Sequence, residues 1–392
     1  MHVVVVGGGI VGLSCAYALA DRGAAVTVCE SGTLGGGSTA RSAGGIRTQF
    51  STRVNVELSL SSLPVWESFE ERFGVDIAYN RTGYLFLARE SDTADAFGEQ
   101  VAMQNDCGAE SELLSPAEVA ERWPHVRHER FVAATYSPLD GFADPYLALQ
   151  GYATAAREAG VDIRTKTPVE SVERVGSGSG GRFRVETGGE SDEGGAETLD
   201  ADYVVNAAGA WAGEVAAMVG LDLPISPRRR QIAVVEPETP VADAEPLTID
   251  LDTGSYFRPE REGQALVGGQ FDEDDPDVDP DRFSESMDLD WAVTAVERAG
   301  DCADYFGPET RIVRGWAGLY AVTPDHHPIV EESAPGVVTA AGFSGHGFQH
   351  APATGRVVAE LCLDGEASHV DVSALASDRF ERGGGLAERN VA

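Results

Sequence analysis

The sequence predicts a chain of the α/β class, a parallel-sheet domain into which a second, α+β domain with an antiparallel sheet is inserted. Three observations predict it. The chain opens on a strand, a glycine turn, a helix and a second strand, from Val3 to Glu30. Its middle changes to strand-rich, alternating patterns. Two more strands that run into small-residue turns, "DYVVNAAGAW" at 202–211 and "AAGFSGHGF" at 340–348, bring the first pattern back. The expected division is 1–76, 141–217 and 326–392 for the first domain, and 77–140 and 218–325 for the second.

Val3 to Val6 are four β-branched residues in a row, as in a strand buried on both faces. "IVGLSCAYALADRG" follows with apolar positions at helical spacing, and "AAVTVCE" is a second short strand ending at Glu30, which completes a βαβ unit. "TRVNVELSLSSLPVWESFEERFG" predicts a long helix, interrupted or kinked near Pro64 because proline lacks the N–H and crowds the preceding turn. The segment "DIAYNRTGYLFLARE" reads as an alternating strand, and "TADAFGEQVAMQNDCG" and "LSPAEVAERWPHV" read as helices. "DPYLALQGYATAAREAGVDIRTKTPVESVERV" is helix then strand, and "RFRVETGG" with "LDADYVVNAAGAWAGEVAAMVG" adds a strand pair, a buried strand and a helix. "GSGSGG" at 176–181 is a flexible hairpin connection. "QIAVVE", "SYFRPE" and "QALVGG" are sheet strands of the insertion. "DEDDPDVDPD" lacks the spaced ligands, glycine and terminal glutamate of an EF-hand, so a solvated acidic loop is expected there. The last motif is strand, glycine turn, helix.

Gly7, Gly9 and Gly12 form G-x-G-x-x-G at the junction of strand and helix. There the bare backbone, with Ile10 and Val11, lets a pyrophosphate reach the helix N-terminus. Glu30, next to Ser31, stands where a carboxylate accepts from an adenosine ribose. NAD and FAD share this fingerprint. The later turns, with Ala208, Gly209 and Trp211 in one and Gly342, Gly345, His346, Gly347, Phe348 and Gln349 in or beside the other, point to a cofactor held along its length. FAD, in a Rossmann-like domain, fits that description.

The totals narrow the partners. With 64 acidic and 29 basic residues the formal net charge is −35 and the pI about 4.4, which disfavours nucleic acid and anionic lipid and favours a small molecule. All the basic residues but Lys166 are arginine, and so acidic a chain suits high salt. The five cysteines contain no C-x-x-C pair, so a reducing cytoplasm is expected and neither disulfides nor zinc. His326 and His327 have no companions at metal-ligand spacing. No export signal and no run long enough to span a membrane is visible.

Five motifs, "VVVVGGGIVGLSCAYALADRG", "GGGSTARSAGGIRTQF", "VVNAAGAWA", "GWAGLYAVTPDHHPIV" and "AAGFSGHGFQHAPATGRVVAEL", make the chain resemble the D-amino acid oxidase superfamily of FAD-dependent oxidoreductases. Within it the resemblance is to sarcosine oxidase β subunits, proline dehydrogenase β subunits and related amine dehydrogenases, over nearly the whole chain. It implies that Ser38, Thr39, Arg41, Ser42, Ala43, Gly44 and Gly45 line FAD, with Arg41 at the diphosphate or bracing its own loop. Val169 is implied as a backbone contact to adenine. Arg47 matches an arginine that holds the substrate carboxylate over the flavin, a task suited to a fixed, always charged fork. Gly318 and Arg41 stand where covalent relatives carry the attaching cysteine or histidine, so FAD is expected to be non-covalent. Tyr256 and Tyr320 match the sarcosine-oxidase pattern as walls of the substrate site, Gln349 replaces a carboxylate-binding lysine, and His346 is expected near the isoalloxazine.

The implied reaction is oxidation of a C–N bond in a small amino acid or secondary amine, of sarcosine, proline or D-amino acid type, by hydride transfer to flavin N5. The cofactor carries the chemistry and the protein supplies orientation. Two alternatives stay open: a 2-hydroxy-acid dehydrogenase with a histidine base, and a flavin-containing assembly or scaffold protein. Leu266 falls where sarcosine oxidases use a lysine to assist oxygen, so a quinone, dye or partner protein is the expected electron acceptor.

Overall fold

A computed structural model of the chain describes residues 1–175, 182–189, 197–271, 274–383 and 387–391. The glycine–serine connection expected at 176–181 lies outside the described residues. The first sheet has six strands in the order Ile329–Ala334, Val337–Ala341, Tyr203–Asn206, His2–Val6, Ala25–Cys29 and Asp162–Arg164. Neighbours run parallel except at the first pair, which is antiparallel. Val3, Val4 and Val5 are wholly buried at its centre, as their β-branched run demands. Helix Ile10–Asp21 lies against the last helix, Gly347–Leu363, so closely that a Cβ at Gly355 would stand 2.4 Å from Ser14 Oγ. Ser14 Oγ fixes the contact by donating to the Ala351 carbonyl at 2.8 Å. A small antiparallel sheet, Val169–Val175, Arg182–Thr187 and Glu197–Ala201, branches from this domain.

The second sheet has eight strands in the order Arg311–Val322, Ser226–Glu236, Ala265–Gly269, Ser255–Pro259, Leu247–Asp250, Tyr84–Ala88, Ala133–Ser137 and Glu112–Leu114. All pairs are antiparallel but one. Leu247–Asp250 runs parallel to Tyr84–Ala88, a single departure within the antiparallel sheet expected of the insertion. That pair joins the two separate segments of the insertion, so no hairpin imposes an antiparallel direction there.

Two other expectations change. Helix Arg53–Glu67 runs through Pro64, and the break comes at Ser68, before a short helix Phe69–Phe73. There Ser68 Oγ bonds the Pro64 carbonyl at 2.5 Å, competing with the backbone for the last turn. Of the segment read as an alternating strand, Tyr84–Ala88 forms the strand, with Asn80 making an isolated bridge to Phe142, and all five strand residues are buried because the strand lies inside the sheet and is covered on both faces. No helix among the described residues is long and apolar enough to cross a membrane. A two-residue ladder, Gly45–Ile46 against Gly141–Phe142, ties the loop after the second strand to the far end of the insertion.

Candidate cofactor and substrate site

A cavity of about 510 Å³ runs between the sheets, a size in the usual range for ligand sites. The end of the first strand and start of the first helix line it through Gly7, Gly9, Ile10 and Val11, and the second strand adds Glu30 and Ser31. The following loop contributes Ser38, Thr39, Arg41, Ser42 and Ala43; the later turns contribute Ala208, Gly209 and Trp211, then Gly342, Gly345, Gly347 and Phe348. Gly7 has φ +111°, and a Cβ there would lie 2.5 Å from the Ala207 carbonyl oxygen, so the turn requires glycine. Gly12 does not line the cavity; it lets the helix close on the turn, with an added Cβ only 2.0 Å from the Gly7 oxygen. Gly44, Gly45 and Val169 also stand outside the lining. The Glu30 carboxylate accepts from Gly8 N at Oε2 and from Gly32 N at Oε1, each at 2.7 Å, with Ser31 Oγ 3.5 Å from Oε1, which braces both loops and leaves an acceptor position on Oε2.

Arg41 donates to the carbonyls of Gly36 and Gly37 and pairs with Glu285 at 2.5 Å. Its stem lies on Gly318, where an added Cβ would be 2.8 Å from Arg41 Cβ. Glu285 belongs to the segment after the acidic run, which sequence reasoning placed in solvent. The run is exposed as expected at Asp274, Asp277, Asp279 and Asp281, but it is also tethered: Asp275 forks onto Arg230 with two 2.7 Å bonds, Asp277 meets Arg228 at 2.9 Å, and beyond the run Asp288 meets Arg229 at 2.7 Å. Asp281 accepts from Trp211 Nε1 at 2.8 Å. The segment 274–288 is thus strapped across the cavity, to which it contributes Pro280, Asp281, Phe283 and Glu285. Among the described residues no group of three or more His, Cys, Asp or Glu side chains could hold a metal.

Tyr256 and Tyr320 line the cavity's other end. Each ring lies over a glycine: a Cβ at Gly268 would be 2.2 Å from Tyr256, and one at Gly345 2.4 Å from Tyr320. A third phenol, Tyr84, overlooked by sequence reasoning, puts its hydroxyl over Gly45, 1.9 Å from where a Cβ would be. Burial pushes all three phenols up, so they stay protonated as donors.

Arg47, His346 and Gln349 stand in a second layer behind the lining. Arg47 is buried, its guanidinium 4.1 Å from the Phe50 ring and 5.2 Å from Phe86. It donates to the carbonyls of Gln49 and Asn390 and to His346 Nε2, the last at 3.1 Å, while its backbone N–H is held by Gln349 Oε1 at 2.7 Å. Burial pulls it down from its ordinary value, opposed by Glu388, Tyr84 and Asp140. An arginine can only donate, so His346 Nε2 accepts and the ring proton sits on Nδ1, which has no partner among the described residues. Burial and then Arg47 hold His346 well below its usual range, and it is neutral. The tail at 387–391 closes this layer: Glu388 accepts from Ser51, Thr52 and Asn55.

Residues 2–361 match the family model described as DAO, FAD dependent oxidoreductase. The chain belongs to this family. It is 33% identical to FAD-dependent oxidoreductase domain-containing protein 1 of Xenopus laevis, over 99% of this chain and 84% of that protein. It is 30% identical to mitochondrial dimethylglycine dehydrogenase of Rattus norvegicus, over 93% of this chain and 43% of that protein. The crystal structure of L-proline dehydrogenase from P. horikoshii superposes with a TM-score of 0.86 at 32% identity, covering 98% of each chain. This DAO-family member is therefore an oxidoreductase whose cofactor is FAD. Its residues fit that group: the glycine turn, the helix N-terminus and the lining that continues to Phe348 suit a long dinucleotide.

Proposed function

We propose that this oxidoreductase oxidises the C–N bond of a small amino acid or N-alkyl amino acid, and that Arg47 binds the substrate carboxylate. One observation carries the reading. Arg47 is a buried cation that makes no ion pair among the described residues, and its Nε–H has no protein partner there. A desolvated charge left without a counter-ion is unfavourable unless an anion arrives, and a carboxylate matches the guanidinium fork. Tyr84, Tyr256 and Tyr320 would close the site with apolar ring faces and hydroxyl donors. Bound FAD supplies the acceptor for the α-hydrogen and its electron pair, and the resulting imine is hydrolysed by water. Dimethylglycine dehydrogenase and L-proline dehydrogenase, by their names, act on substrates of this class. The hydroxy-acid reading needs a histidine base, but His346 Nε2 is taken by Arg47 and Nδ1 carries the proton.

Leu266 is buried and pairs across the sheet with Arg258, and no lysine stands there, so the electrons are proposed to leave to a quinone or protein rather than to oxygen. Anaerobic flavin bleaching tests both points, with sarcosine and L-proline set against dimethylamine and pyrrolidine, which lack the carboxylate. Arg47→Ala should keep FAD and lose about 30- to several-thousand-fold in kcat/KM for the carboxylated pair, equivalent to roughly 2–5 kcal/mol. Equal losses for both pairs, or no bleaching by any amine, would overturn the reading. Reoxidation by air as fast as turnover would remove the proposed acceptor.

A further inference from the structure

The loop that carries Arg47 is held by a carboxylate that it does not use as an ion-pair partner. Asp140 is wholly buried, one residue before Gly141, which pairs with Ile46. Continued by one residue, that antiparallel register sets Asp140 opposite Arg47. Yet the carboxylate is turned to the next two residues. Oδ1 accepts from Thr48 N at 2.6 Å and from Thr48 Oγ1 at 2.8 Å, and Oδ2 accepts from Gln49 Nε2 at 3.0 Å. Gln49 is anchored in turn, donating to the Tyr84 carbonyl at 2.9 Å and accepting from Thr135 Oγ1 at 2.8 Å. Gly83 N donates to the Asp140 carbonyl at 2.9 Å, so both ends of the tether are fixed to the central strand of the second sheet.

We infer that Asp140 is a positioning residue for substrate binding: by taking three hydrogen bonds from Thr48 and Gln49 it fixes the backbone that aims Arg47, and it leaves the guanidinium, bonded only to neutral acceptors among the described residues, without a carboxylate partner until a substrate supplies one. The inference rests on the reading of Arg47 given above. The arrangement is asymmetric in a way that packing alone does not explain. A buried acid beside a buried arginine is expected to pair with it directly, and the direct pair would neutralise the charge that a substrate needs. Here the acid is satisfied by neutral donors instead.

Protonation opposes this arrangement. Burial raises the Asp140 carboxyl by more than the hydrogen bonds from Gln49 and Thr48 and then the charge of Arg47 lower it, which leaves it at about 6. The other ionisable groups that face it are Tyr79, Tyr84 and Tyr136, which stay neutral. Its folded value lies above the roughly 3.9 of an unfolded aspartate, so the stability it contributes is complete below that value and is lost as pH rises through about 6. The fold alone thus favours the neutral acid. The three donors favour the carboxylate, which prevails above about 6.

The test is the affinity of the FAD-loaded enzyme for acetate, a carboxylate with no amine to oxidise, read from the flavin absorbance between pH 5 and 8, alongside KM and kcat for the best amino acid. In the wild type the acetate Kd should weaken as pH falls through about 6. Asp140→Asn should weaken it about tenfold at pH 8, the scale of one charge-assisted contact, and abolish the acid limb, with KM raised far more than kcat. Thr48→Val removes one donor without changing shape and should shift Kd in the same direction by a smaller factor, which keeps the test open if Asp140→Asn does not fold. Unchanged Kd and an unchanged acid limb in either folded variant, while Arg47→Ala does weaken acetate, would overturn the role of Asp140 alone. If Arg47→Ala leaves acetate binding intact, the reading of Arg47 fails first.

Discussion

Gly318 has no room to become another residue while Arg41 keeps its side chain. A Cβ there would sit 2.8 Å from Arg41 Cβ and 3.1 Å from Cδ, and the stem cannot swing away because its guanidinium is held by Gly36, Gly37 and Glu285. The two positions where covalent relatives attach flavin are therefore in contact in this chain, and the Arg41 stem excludes a side chain at Gly318. FAD should leave the polypeptide on acid precipitation. Gly318→Cys alone should destabilise by about 1–3 kcal/mol, the range for overpacking, and lower FAD occupancy. Adding Arg41→Gly should restore part of the loss. A Gly318→Cys variant that melts with the wild type would show that the contact relaxes freely.

The strap at 274–288 is the element whose function was hardest to anticipate. Its acids close on an arginine run 45 to 60 residues earlier in the chain, and at Glu285 it reaches Arg41, the cation nearest the glycine loop. If Arg41 serves the cofactor's diphosphate, the role the family resemblance implies, an anion there competes for the same guanidinium. Glu285→Gln should therefore bind FAD severalfold more tightly in dilute buffer, measured by titrating the apoprotein. The gain should shrink as the screening length falls from about 10 Å at 0.1 M salt to about 3 Å at 1 M. Weaker FAD binding in this variant would mean that Glu285 orients Arg41 rather than competing for its charge. Elements written in adjacent residues were legible: the strand–glycine–helix opening, the turns at Ala208 and Gly342, and most strands of the insertion. Partners brought together by tertiary packing were not. Asp140 lies in an ordinary turn sequence, Tyr84 in what reads as plain core strand, and Glu388 in a polar tail, and nothing local to any of them points toward Arg47. The tethers of the acidic run were hidden for the same reason, since its arginines are recognisable as partners only once the sheet is formed.

At the scale of the molecule, a net charge of −35 and 8% aromatic content leave stability dependent on how well like charges are screened. The melting temperature should rise by several degrees from dilute buffer to molar potassium chloride, even though the strap's ion pairs weaken over the same range. The many unpaired acids outnumber those pairs, so a melting temperature that falls with salt would contradict the argument. The one parallel pairing in the second sheet bears on the order in which a ribosome delivers the chain. Tyr84–Ala88, an entirely apolar strand, is made early, but its neighbour Leu247–Asp250 emerges more than 150 residues later. Until then one edge of "YLFLA" stands open beside the exit tunnel, the kind of unpaired strand that recruits another chain. Nascent chains stalled before residue 247 should therefore need a holding chaperone, and those stalled well beyond 250 should need it much less.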